Sequence, residues 1–110
     1  MSNRVGPVIM GHPVAREQLE TAGVVLSFRT SDRTTGETHY RHERTGGKQG
    51  DVTIEKESER ISASDPELVA YYPLSGFGSL EAWRDAIAEV HGDREADGFV
   101  YRIEMEADAE

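Results

Sequence analysis

Apolar residues recur along the chain in short runs, and their spacing switches between a period of two and one near four. Val24-Val-Leu-Ser-Phe-Arg29 is β-branched and aromatic, the composition of a strand. Val52-Thr-Ile-Glu55 alternates apolar and polar residues, which buries one face of another strand. Between them Thr38, Tyr40 and His42 alternate with His39, Arg41 and Glu43, the pattern of a more exposed strand. Phe99, Tyr101, Ile103 and Met105 share one face of a closing strand, with Arg102 and Glu104 on the other. Leu80, Trp83, Ile87 and Val90 recur at helical spacing and predict an amphipathic helix, capped by Ser79 and closed by Gly92.

The remaining punctuation completes the outline. Val14 to Ala22 has helical composition, with Pro13 at or just before its first turn and Gly23 as its C-cap. Asp65-Pro66-Glu67 starts a helix of a turn or two. Val5 to Met10 is apolar but contains Pro7, so it reads as an edge strand or an extended lead-in. Strands outnumber helices and show no regular βαβ rhythm. The expected fold is therefore α+β, a small mixed β-barrel or curled sheet with two or three peripheral helices. The 110 residues fit one domain over 1–106, followed by a frayed acidic tail at 107–110.

Charge changes this picture more than hydropathy does. Asp and Glu number 21 against 12 Lys and Arg, a net charge of -9, and only Lys48 and Lys56 are lysines. With no cysteine there is no disulfide and no thiolate metal site. The N-terminus lacks a hydrophobic signal segment and no apolar run is long enough to span a bilayer, so the expectation is a cytoplasmic protein. A monomer is the default. An acidic, lysine-poor composition suits concentrated salt, where self-repulsion is screened within a few ångströms. The thermal midpoint should accordingly rise from dilute buffer to molar KCl; a midpoint that stays level or falls would refute this halophilic reading.

The negative charge lifts in one stretch. Residues 29–48 carry five cations (Arg29, Arg33, Arg41, Arg44, Lys48) against three acids, whereas residues 49–110 carry five against sixteen. Arginine forks match phosphate oxygens, and Thr34, Thr35 and Gly36 add hydroxyl and amide donors. Tyr40 and His39, interleaved with arginines, are candidates to stack on a base. The plainer alternative is an exposed hairpin whose arginines pair with nearby carboxylates. His39 and His42 lie three apart, on opposite faces of a strand, which argues against a metal site. The segment 75–79 is glycine-rich but lacks the lysine of a phosphate loop, and Ser79 serves better as a helix cap than as a nucleophile.

Two stretches resemble the ASCH domains of the PUA-like superfamily, in a short archaeal form. One is Arg33-Thr-Thr-Gly-Glu-Thr-His-Tyr-Arg41 followed by Gly47-Lys-Gln-Gly-Asp-Val52. The other runs from Ser75-Gly-Phe-Gly-Ser-Leu-Glu-Ala-Trp83 through Val90-His-Gly92 to Val100-Tyr-Arg-Ile-Glu104. The resemblance implies a PUA-like barrel, a basic cleft between barrel and helices, and RNA or a modified nucleoside as partner. Members that hydrolyse acylated nucleosides share a Lys-Thr-Glu set. Thr38 matches its threonine, but Glu37 or a gap stands where the lysine would fall.

Three functions follow as expectations. The first is an RNA- or nucleoside-binding module using Arg29, Arg33, Thr35, Gly36, Thr38, Tyr40, Arg41, Arg44 and Lys48, with Tyr40 or Phe77 against a base and no cofactor. The second is an amidohydrolase-like enzyme on small acylated nucleosides, with Thr38 as nucleophile and Glu37 or Glu43 as the acid/base group. The third is an acidic protein-interaction domain with a basic partner. A concave cleft lined by Arg33, Thr38, Tyr40 and Arg41 would favour the first two, and a flat hairpin the third.

Overall fold

A computed structural model describes residues 5–93 and 95–106. The chain forms an α+β fold in which a curled, half-barrel mixed sheet carries two α-helices. In chain order the elements are β1 (Val8–Ile9), α1 (Pro13–Ala22), β2 (Val24–Arg29), β3 (Gly36–Arg41), β4 (Lys48–Lys56), β5 (Ile61–Ser62), α2 (Leu80–His91) and β6 (Asp97–Met105). Two 3-10 turns, Pro66–Ala70 and Tyr72–Leu74, lie between β5 and α2. The acidic tail expected at 107–110 lies outside the described residues.

The sheet order is β1-β3-β4-β6-β2, with β5 pairing to β6 off this path. Only β1 and β3 run parallel; the other pairs are antiparallel. Each strand follows from its composition, and the ends follow from local chemistry. Ser79 Oγ accepts from Ala82 N at 3.0 Å to start α2, and Gly92 ends it in the left-handed conformation. His12 starts α1, its Nδ1 accepting from Val14 N at 3.2 Å, and Pro13 takes the first helical position. Asp65 and Pro66 open a 3-10 turn in the same way.

Strand alternation divides the core in two. On one face Val25, Tyr40, Val52, Ile54, Tyr101 and Ile103 pack with Val8, Met10 and Leu19 of α1. On the other, Leu26, Phe28 and Val100 pack against Trp83 and Ile87 of α2 and against Leu68. β6 is therefore buried on both faces at its centre, where the sequence pattern shows a single apolar face. Where β4 leaves β6, the buried Ser58 hydroxyl accepts from Val100 N at 2.9 Å and replaces the missing ladder bond. The spacing that joins Val90 to Trp83 needs correction. Val90 is 65% exposed, and Ala86 joins Trp83 and Ile87 in the buried stripe.

The order of strands places β1 and β2 at opposite edges of the sheet, yet the curl brings them together. Arg29 Nη2, at the end of β2, donates to Ile9 O of β1 at 3.2 Å. Arg33 Nη2 donates to Gly6 O at 2.7 Å, and Thr38 Oγ1 to the carbonyls of Val5 and Gly6 at 3.2 and 3.1 Å. Side-chain donors thus hold the N-terminal strand across the open line of the half-barrel.

Candidate ligand site

The basic stretch does not assemble into one surface. Arg41 Nε donates to His39 Nε2 at 3.1 Å and its Nη1 to Arg44 O, so these residues gather at the β3–β4 turn. Lys48, also there, pairs with Asp51 at 2.8 Å on the exposed surface. Arg33, Thr34 and Thr35 lie at the opposite end of β3, on a polar shelf with Asp32 and Lys56. Gly36 opens β3 opposite Ile54. Arg29 is elsewhere again, because it shares the face of Val25 and turns toward Met10.

Tyr40 is a correction to the stacking expectation. Its ring is 4% exposed and belongs to the core, so it offers no face to a base. Gly50 makes this possible, since a Cβ there would stand 3.1 Å from the Tyr40 ring. Tyr40 OH donates to Glu20 Oε2 at 2.8 Å, and His42 Nε2 meets the same oxygen at 2.9 Å. Burial, and then the bond to Glu20, pushes the Tyr40 phenol up to about 12. The hydrogen bonds of His42 and Tyr40 hold Glu20 below the usual carboxylate range.

The catalytic pair is likewise not assembled. Thr38 donates its hydroxyl proton to backbone carbonyls, and Glu37, its neighbour on the strand, projects from the other face and is exposed. The cleft expected between Arg33, Thr38, Tyr40 and Arg41 is absent among the described residues. So is any group of three or more His, Cys, Asp or Glu placed to hold a metal.

A pocket of about 660 Å³ opens instead at the seam between β1 and β2. Its walls are Ile9 to Pro13, the Leu26–Arg29 end of β2, Phe77, and the α2 face from Trp83 to His91. The lining is apolar and aromatic for the most part, and its titratable groups are His12, Arg29, Glu89 and His91. His12 packs edge-on to Phe77 at 5.0 Å between centroids, and His91 edge-on to Phe28 at 6.3 Å.

Arg29 is the unusual group in it. Among the described residues only Nη2 is bonded, to Ile9 O and weakly to Met10 Sδ at 3.5 Å, and Nε is buried with no partner. Burial, with the nearby positive charge of Arg33, pushes the guanidinium down to about 10. His91 is held below the ordinary histidine range, first by burial and then by Arg29, while a hydrogen bond to the Phe28 backbone pulls the other way.

This has a measurable consequence for stability. The unfolded chain protonates His91 at its ordinary value, whereas the folded protein resists until a lower pH. Stability from this group is intact above the ordinary value and lost as pH falls through the interval down to the folded one. His91→Gln should remove that loss, so its thermal midpoint relative to wild type should improve as pH falls from about 7 to 5. A difference between the two that stays constant over this range would contradict the burial of His91 as a neutral ring.

No family model matches the sequence, no curated protein matches it, and no solved structure matches its fold. Among the described residues no helix is long and apolar enough to cross a membrane. The pocket residues His12, Phe77, Trp83, Glu89 and His91 were not legible as a set, because they come from segments far apart in sequence. One signal was present: Arg29 ends a strand that is otherwise almost wholly apolar, on the same face as Val25.

Proposed function

We propose that this chain is a nucleoside-binding module whose ligand site is the seam pocket, with the ring of the ligand lying among Phe77 and the two histidines, above the buried Trp83. The supporting observation is the pocket itself: its volume of about 660 Å³ suits a small ligand, and its lining combines aromatic walls with a single guanidinium. A nucleoside offers the matching parts, a flat apolar-faced ring and a polar edge. The cations at the β3–β4 turn are partly engaged by His39 and Asp51 and lie outside this pocket.

Trp83 is the single tryptophan and lines the pocket, so its fluorescence reports occupancy directly. Titration with a panel of modified and unmodified nucleosides, at high and low KCl, should change that signal for at least one class. The double variant Arg41→Ala, Lys48→Ala should respond as wild type does, because both residues sit at the β3–β4 turn and neither lines the pocket. If no nucleoside alters the fluorescence or the amide spectrum of the pocket residues at millimolar concentration, the reading fails. The acidic surface facing a basic protein partner then becomes the better account.

A further inference from the structure

Among the described residues nothing neutralises the charge of Arg29. Transferring an ion from water to a protein interior costs several kcal/mol unless it is paired, and arginine keeps its proton. A carboxylate is easy to supply in a chain with 21 Asp and Glu, yet among the described residues none lies within ion-pair distance of Arg29. Its Nη1 has no protein partner there, and its Nε is buried without one. One carbonyl oxygen and one sulfur atom offset part of the desolvation but leave the charge unopposed.

Two further features converge on the same space. The N-terminus of the ten-residue helix α1 lines the pocket through His12, Pro13 and Ala15, and its first turn contains no acidic residue. A helix start carries a partial positive charge, and because Pro13 has no N–H and Val14 N is bonded to His12, Ala15 N is the amide of this first turn that can face a ligand. His91 stands close enough to Arg29 to feel its charge, and Glu89 is the one acid in the lining. In a protein of net charge -9, this pocket gathers positive potential from a helix start and a guanidinium, against the single carboxylate of Glu89.

We propose that the seam pocket is an oxyanion receptor, in which Arg29 and the start of α1 hold a phosphate or carboxylate group of the ligand and His91 adds a further donor. This deepens the nucleoside reading and rests on it for the ring: the ligand is then a nucleotide or another aromatic compound bearing an anion. Burial and then the charge of Arg29 disfavour protonation of His91, and an anion at Arg29 cancels the second of these. Binding therefore takes up a proton, and affinity rises as pH falls, opposed only by protonation of the ligand itself.

The experiment compares four probes on the wild-type protein by Trp83 fluorescence and by NMR of the His91 ring: adenosine, adenosine 5′-monophosphate, inorganic phosphate and benzoate. The monophosphate should bind about tenfold or more tighter than adenosine, the scale of a charge-assisted contact. Benzoate stays ionised across the neutral range, so a gain in its affinity from about pH 8 to 6 belongs to the protein, and it should disappear in His91→Gln. Arg29→Met should abolish the preference for the charged probes. If that variant does not fold, the wild-type contrasts between adenosine and its monophosphate, and between benzoate at the two pH values, still decide.

Equal affinity for adenosine and its monophosphate would overturn the receptor and leave the nucleoside reading standing. Phosphate and benzoate binding with no gain from the adenosine ring would do the reverse. Saturation of an Arg29→Met variant by the monophosphate with wild-type affinity would also overturn the receptor.

Discussion

Truncation of Trp83 to alanine should lower the stability of the fold by about 3–5 kcal/mol. Trp83 is 3% exposed and stands at the centre of the cluster that joins α2 to the sheet, against Leu26, Phe28 and Val100. Removing it leaves a cavity between α2 and the sheet, which Leu80, Ala86 and Ile87 on the same helix are too small or too far along it to fill. A domain of this size has roughly 5–15 kcal/mol in all, so the variant should be close to unfolding. Urea denaturation followed by far-ultraviolet circular dichroism measures this without the lost fluorophore. A loss below about 1 kcal/mol would mean that α2 is anchored elsewhere. Because Trp83 also lines the pocket, the milder Trp83→Phe is the variant for separating packing from ligand contact.

Gly98→Ala should be the most damaging of the single-methyl changes, by about 1–3 kcal/mol. A Cβ at Gly98 would lie 2.5 Å from the carbonyl oxygen of Arg29 and 2.9 Å from two atoms of the Phe28 ring. The oxygen belongs to a strand and cannot turn aside, so β2 and β6 must separate at the Arg29–Phe99 pair. That is also the strand end that positions the pocket arginine, so the variant should weaken anion binding along with stability. Gly47→Ala is the control, since nothing lies within 4 Å of a Cβ there. Equal melting temperatures for the two variants would show that the approach of β2 to Gly98 is not as close as described.

Much of the fold could be read from local pattern, and the reasons are visible residue by residue. The closing strand, β2 and α2 each hold a run long enough for its period to show, and Ser79, Gly92 and Asp65 act through contacts two to four residues away. β5 has only Ile61 and Ser62, too few to alternate. Val90 obeys the helical spacing but borders the pocket and does not join the packed stripe, so it stays exposed. The site was less legible for a different reason. Net charge counted along a sequence assigns neighbours that a pair of strands pulls apart: Arg33 and Arg41 stand at opposite ends of β3. Alternation then sent Tyr40 inward and Glu37 outward. The pocket depends on the curl of the whole sheet, which no short window encodes.

The two-residue length of β1 bears on how this protein meets copies of itself. An exposed sheet edge is a template for another chain, and proteins often guard it with lysine. The only lysines here, Lys48 and Lys56, are on β4, an interior strand. Protection comes from shape instead. One edge of the sheet ends in a strand too short to recruit a partner, and the other, β2, runs along the pocket wall opposite α2. A mutation that lengthened β1 to close the barrel would abolish both edges but fill the gap that admits a ligand, so this fold keeps its opening by shortening an edge instead of sealing it.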